Sequence, residues 1–211
     1  EESLAECQKL QNRNRDLLHD VKVIQRAGMQ VQGGFILGFD SDGPSTFRQL
    51  VDFIQQSGIA TAMVGLLQAA PGTQLFDRLK KDGRLRDGAI SGDNVDGTTN
   101  IAPKMGLEQL MSGYRTVMDT IYSPRNYYRR VKVFLREMDA SGTPARVDKA
   151  KFFAFFRSVV ALGIVGRERF QYWSLIGWTL ARKPRLFPLA VTLAIYGHHF
   201  RRVCEVHKLS L

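Results

Sequence analysis

Three glycines and two aspartates gather where an apolar run meets a helix start: Gly33, Gly34 and Gly38 punctuate VQGGFILGFDSDGPSTF, and Asp40 and Asp42 follow before Pro44. Glycine lets a ligand approach the backbone, and the first turn of a helix offers N–H groups with no partner inside the helix. The chemistry suggested is binding rather than bond-making. A second place of the same kind spans Gln68 to Thr73. Both stretches also suit bare strand-to-helix turns, with Asp40 a solvated turn residue, and local pattern leaves the two readings open. The remaining reactive groups point to no metal. Cys7 and Cys204 lie at opposite ends, without the close spacing that holds zinc or an iron-sulfur cluster. Adjacent His198 and His199 point about 100° apart on a helix, so with His207 they are expected in packing or solvated roles.

The elements that must position the glycine-rich ends follow from periodicity. Ser3 and Glu6 match a capping box, and Leu4, Leu10, Leu17, Leu18, Val21 and Ile24 continue at helical spacing, which predicts a helix from Ser3 to Ala27 stopped at Gly28. Met29 to Phe39 is nearly uncharged and reads as a strand buried on both faces. Pro44 opens a helix that ends at Gly58, Ile59 to Ala69 repeats the buried-strand pattern, and a third helix carrying Leu75, Phe76 and Leu79 ends at Gly83. Gly28 and Gly58 stand thirty residues apart, close to the length of one βα unit of a parallel sheet. Asp82 to Pro103, rich in glycine and aspartate, reads as a loop. Helices are then predicted over Leu107 to Tyr122, Pro124 to Met138, Ala145 to Ile164, Glu168 to Arg182 and Pro184 to His207. The fold class expected is α/β, a partial (β/α) barrel with parallel strands over residues 1–97, followed by an all-α domain over 98–211.

Charge divides the same way. The whole chain carries +10, but from Ser123 to Leu211 there are seventeen Lys or Arg against five Asp or Glu. A basic helical domain attracts phosphate-bearing partners or an anionic membrane surface. Leu186 to Gly197 is apolar but too short to span a bilayer, so a buried helix is expected, with Arg182, Lys183, Arg185, Arg201 and Arg202 available for lipid headgroups. Phe152, Phe153, Phe155, Phe156, Val159 and Val160 are expected in a core. Nucleic-acid binding is not expected, because no single-strand platform or zinc module accompanies the charge.

GGFILGFDSD, followed by GLLQAAPGTQLFDRLKKDGRL, resembles the last two βα units of a radical S-adenosylmethionine enzyme of the subclass with an N-terminal cobalamin-binding domain. EESLAECQKLQN resembles the helix before them, and TTNIAPKM and IYSPRNYYRRV resemble the C-terminal helical domain of unknown function carried by one branch of that subclass. By that resemblance Gly34, Ile36 and Gly38 match a glycine-isoleucine-glycine motif that packs on the adenine and ribose of S-adenosylmethionine. Asp40 or Asp42 stands near a glutamate common in the family, and Leu67, Gln68 and Pro71 fall where backbone groups commonly meet adenine. The resemblance also implies a 4Fe-4S cluster and cobalamin. The family's closely spaced cysteine triplet is absent from this chain, so both are expected in parts not present here, and this polypeptide alone is expected to be inert.

The chain opens on Glu1 without a cleavable leader, and the expectation is a C-terminal fragment whose partner is the missing N-terminal portion of the same protein. The parent is expected to be a methyltransferase or related radical enzyme acting on an unactivated carbon of a small molecule or lipid, hopanoid-type methylation being one reaction left open. The alternative is a non-catalytic helical interaction or membrane-docking module beside a structural α/β remnant. A cytoplasmic location is expected, with peripheral contact at the inner face of the membrane left open.

Overall fold

A computed structural model describes residues 15–86, 96–139 and 149–209. The capping box at Ser3, Cys7, the stretch 87–95 of the predicted loop and the predicted helix start at Ala145 lie outside the described residues. The order of elements is α1 (Leu17–Arg26), β1 (Gln32–Leu37), α2 (Pro44–Ser57), β2 (Thr61–Leu66), α3 (Gln74–Lys81), α4 (Leu107–Tyr122), α5 (Pro124–Glu137), α6 (Lys149–Ser158), α7 (Arg169–Arg182) and α8 (Phe187–Leu209). A π-helical stretch, Val159–Ile164, prolongs α6, and a 3-10 turn, Pro184–Leu186, leads into α8. Glycines end α1, α2 and α3 as the sequence predicts: Gly28, Gly58 and Gly83 have φ of 84°, 73° and 65°, the left-handed conformation that closes a helix at little cost only for glycine. The strands pair in one parallel two-stranded sheet, joined through α2 as a parallel crossover requires. No helix among the described residues is long and apolar enough to cross a membrane.

The chain forms two compact units. The first collects Gly33–Val51 and Ala62–Asp119. Here Leu67 N–H donates to the Leu37 carbonyl at 2.8 Å, carrying the ladder one step past β2. Thr73 caps α3 by accepting from Phe76 N–H at 3.2 Å. Ala69, Leu79 and Ile101 are buried together, with Leu67, Leu75, Phe76 and Leu85 against them. The expectation that β1 is buried on both faces fails. Its residues alternate between exposed and half-buried up to Leu37, so one face lies open. β2 is buried apart from Met63.

The second unit is built from Leu18–Gln32, Asp52–Thr61 and Thr120–Leu211. Ser123 accepts from Asn126 N–H and Pro124 occupies the first turn of α5, the arrangement for which serine and proline suit a helix start. The turn after α2 passes tightly over α5: a Cβ at Gly58 would stand 2.9 Å from the Phe134 backbone nitrogen. α8 supplies Ala190, Val191, Leu193 and Ala194 to the core, so the apolar run Leu186–Gly197 is a buried helix, as expected. The Phe-rich helix α6 is not a core helix throughout. Phe153 and Phe156 are 67% and 51% exposed and Val160 is 54% exposed, while Phe155 packs edge-on against Phe187. An apolar residue on every side of a helix exceeds what a single packed neighbour can cover, and the far side is left in solvent.

Candidate functional site

Every residue singled out at the two strand ends belongs to the first unit. Gly34 and Ile36 share one face of β1 by the two-residue period of a strand. That face is open: Ile36 is 49% exposed, Met63 of β2 is 43% exposed, and nothing among the described residues comes within 4 Å of a Cβ placed on Gly34. An apolar, side-chain-poor strip of sheet of this kind can receive a flat ring by contact alone.

Gly38 differs in kind. It is buried, with φ of 106°, and a Cβ there would meet the Leu110 side chain at 3.1 Å and the Leu67 Cβ at 3.6 Å. Its N–H, like that of Phe39, donates to Asp42 Oδ2, at 2.8 Å and 3.0 Å. Glycine is therefore demanded here by backbone conformation and by the approach of α4, and Asp42 acts as a turn-closing acceptor.

Asp40 is engaged as well. Arg84 reaches it with two parallel hydrogen bonds, Nη2 to Oδ1 at 2.6 Å and Nη1 to Oδ2 at 2.9 Å, and Lys104 Nζ stands 3.5 Å from Oδ2. The Arg84 hydrogen bonds hold this carboxyl below its ordinary pKa, against the opposing effect of burial, and Lys104 adds to the lowering. Arg84 Nε also donates to the Ala102 carbonyl at 2.9 Å, which ties the strand end to the segment entering α4.

Backbone groups after β2 are largely taken by the segment from Thr98 to Asn100. Thr99 Oγ1 donates to the Leu67 carbonyl at 2.7 Å, and Gln68 Nε2 donates to the Thr98 carbonyl and hydroxyl at 3.1 Å each. Asn100, buried, forms a two-way clasp with Ala69: Ala69 N–H donates to Oδ1 and Nδ2 donates to the Ala69 carbonyl, both at 2.8 Å. Pro71 is exposed at the start of the following turn. Leu67 and Gln68 are half-buried, and Leu67, whose N–H and carbonyl are both bonded, presents its side chain.

Arg84, Thr98, Thr99 and Asn100 were not among the candidates read from the sequence, although they fall inside the GRL and TTNIAPKM stretches. A carboxylate flanking a glycine strand and an arginine downstream is the only signal the sequence offers for the Asp40–Arg84 pair. It does not specify that the two meet.

The second unit holds a buried cation that the sequence reading also missed. Arg130 is fully buried, and its Nη1 donates to Gln55 Oε1 at 2.7 Å and to the Ile121 carbonyl at 2.8 Å, while Nη2 donates to the Ala60 carbonyl at 3.2 Å. The guanidinium lies 5.2 Å from the Tyr127 ring centroid and 5.7 Å from that of Tyr122. Burial brings its pKa down from the ordinary arginine value to about 10, so it is charged at neutral pH, held by carbonyls and aromatic faces. Glu168, also buried, meets His198 Nδ1 at 3.2 Å and Arg201 Nη1 at 3.3 Å. Arg201 is thus turned inward rather than towards a lipid surface, and Lys183 Nζ donates to the Met138 carbonyl at 3.1 Å. Arg182, Arg185 and Arg202 are exposed. Among the described residues no group of His, Cys, Asp and Glu is placed to hold a metal ion.

Residues 73–210 match a family described as a domain of unknown function, DUF4070. An uncharacterized methyltransferase of Synechocystis sp. is 31% identical over 213 residues, covering 98% of this chain and 39% of that protein. The hopanoid C-2 methylase of Rhodopseudomonas palustris is 31% identical over 74% of this chain and 30% of its own length. The bacteriochlorophyllide d C-12(1)-methyltransferase of Chlorobaculum tepidum is 28% identical over 61% of this chain and 28% of its own length. The chain therefore spans well under half of each of these relatives. No solved structure matches it.

Proposed function

Because this chain belongs to the DUF4070 family, whose match takes in most of its length, we propose that it is the C-terminal part of a cobalamin-dependent radical S-adenosylmethionine methyltransferase. In this reading β1 and β2 are the last strands of a partial (β/α) barrel, and their open face lines the S-adenosylmethionine pocket. The observation that carries it is the uncovered strip formed by Gly34, Ile36 and Met63 on a sheet that has two strands among the described residues. A parallel sheet is stable when both faces are covered, and a bound adenine together with the remaining strands of a longer protein would cover this one. Relatives named as a hopanoid methylase and a bacteriochlorophyllide methyltransferase support methyl transfer as the reaction class, with a carbon of a lipid or ring system as acceptor.

The residues present divide sharply over the cofactors. Gly34, Ile36 and the side chains of Leu67 and Gln68 fit an adenosyl group by contact, whereas Asp40 and Asp42 are committed to Arg84 and to the Gly38 turn. A 4Fe-4S cluster does not fit this chain, which has two cysteines, Cys7 and Cys204, where the family uses three closely spaced thiolates. The cluster and cobalamin are therefore assigned to parts of the protein outside this sequence.

Gly34 gives the test. A Cβ there meets nothing and the backbone has no left-handed φ, so Gly34→Val is expected to leave the fold intact. In a full-length protein carrying this chain, titration calorimetry with S-adenosylmethionine should show affinity reduced at least about tenfold, since a branched side chain occupies the surface the ring packs on. Unchanged affinity in a variant that melts normally would refute the assignment. Gly38→Val is not a usable probe, because its positive φ and the contact with Leu110 make a folding defect the expected result.

A further inference from the structure

On the second unit, α5 and α7 flank an open cavity of about 350 Å³ lined by Arg125, Tyr128, Arg129 and Lys132 of α5 and Phe170, Gln171 and Ser174 of α7. Its geometry comes from the helical repeat. Arg125, Arg129 and Lys132 stand at i, i+4 and i+7, so three cations share one face, and Phe170 and Ser174 are one turn apart on the facing helix. Among the described residues no carboxylate lines the cavity, although like charges at this spacing repel one another. Lys132 Nζ bridges to Ser174 Oγ at 2.9 Å, and Arg129 Nη2 touches Asn126 Oδ1 at 3.3 Å, both neutral partners. Burial and the nearby Arg136 both lower the Lys132 pKa, as expected where positive charge is unbalanced. Other cations of this unit find their partners within it: Arg26 pairs with Glu137, Arg201 with Glu168, and buried Arg130 donates to Gln55 and to two carbonyls.

We propose that this cavity between α5 and α7 binds the phosphate group of a phosphate ester, held by Arg125, Arg129 and Lys132, with Ser174 as a neutral donor. Two arginines supply planar forks that match phosphate oxygens, and lysine supplies a point charge. The volume is at the low end for small-molecule sites and suits one headgroup-sized ester rather than a polymer. Phe170, 72% exposed at its edge, offers apolar surface to whatever the phosphate is attached to. This site belongs to the helical unit alone and does not depend on the S-adenosylmethionine reading.

The phosphate can come from a soluble ester or from a lipid headgroup, and two arms separate the sources. The 211-residue chain is titrated with glycerol 3-phosphate by calorimetry, with glycerol as the uncharged control. It is also sedimented with phosphatidylcholine vesicles with and without phosphatidylglycerol. Saturable binding of the soluble ester assigns the site to free phosphate esters, and binding confined to the anionic vesicles assigns it to a headgroup. In either arm Arg129→Gln and Arg125→Gln should each weaken binding about tenfold or more, while the control pair Arg48→Gln and Arg115→Gln, exposed and outside the cavity, should leave it unchanged. Both cavity arginines are exposed at the surface, and circular dichroism melts check that the variants fold. Absence of saturable binding to both probes, or an equal loss in the control pair, overturns the proposal.

Discussion

Replacing Arg130 by Met tests whether a buried cation, without a carboxylate partner among the described residues, holds the second unit together. Met approximates the length of the side chain and removes the charge and all its donors. Gln55 Oε1 and the carbonyls of Ile121 and Ala60 would then lose the hydrogen bonds they receive at 2.7, 2.8 and 3.2 Å. Bonds from a charged donor are worth about 1.5–3 kcal/mol each, so the gross loss is roughly 4–9 kcal/mol. Against it stands the relief of desolvating a guanidinium, several kcal/mol, since the group is fully buried and its pKa is already brought down to about 10. The Ile121 and Ala60 carbonyls stay buried without the bonds they receive and the half-buried Gln55 Oε1 loses its cation, so the loss wins, and a net destabilisation of about 3 kcal/mol is expected. With a urea slope of about 2 kcal/mol per molar, the midpoint should fall by about 1.5 M. Gln55→Met removes one of these bonds together with the bond from Gln55 Nε2 to the Asn126 carbonyl at 3.1 Å and should cost about half as much, and the double variant should cost less than the sum, because the two share a contact. An Arg130→Met chain within about 0.5 kcal/mol of the parent, or more stable than it, would show that desolvation outweighs the hydrogen bonds and would refute the argument.

Two further outcomes follow from the geometry. The folded-state pKa of Asp40 lies below its unfolded value of 3.8, so its stabilising contribution is complete above about pH 4 and is lost as pH falls through the folded value; urea melts between pH 3 and 7 should show Asp40→Asn less stable than the parent at pH 7 but with a shallower decline in acid, and identical pH profiles would exclude the ion pair as a contributor. Gly58→Ala combines a left-handed φ of 73° with a Cβ 2.9 Å from the Phe134 nitrogen, which should cost at least about 2 kcal/mol and lower the melting temperature by several degrees, whereas Gly34→Ala, with open space around it, should leave the melting temperature unchanged.

What the sequence determined by itself is whatever is encoded within a few residues. Leu107–Tyr122 and the helix starting at Pro124 were legible because the apolar period, the Ser123 cap and proline in the first turn act within one or two helical turns. Gly28, Gly58 and Gly83 were legible as stops for the same reason. The motif residues Gly34, Ile36 and Gly38 were legible as a group. Their division into an open surface at Gly34 and Ile36 and a packed, left-handed turn at Gly38 was not, because it depends on which face of β1 is covered and on α4 arriving with Leu110. The same holds for Asp40, whose partner Arg84 is 44 residues away, and for Ala69, whose backbone is clasped by Asn100 31 residues on. Phe153 and Phe156 look like core residues and are exposed, while Arg130 looks like surface and is fully buried. Hydrophobicity ranks what would gain from burial, but the area available for burial is set by the neighbouring helices, and a charged group can enter it wherever they supply enough acceptors. Only the tertiary structure decides that, because contacts between residues far apart in the chain leave no periodicity for a local pattern to carry.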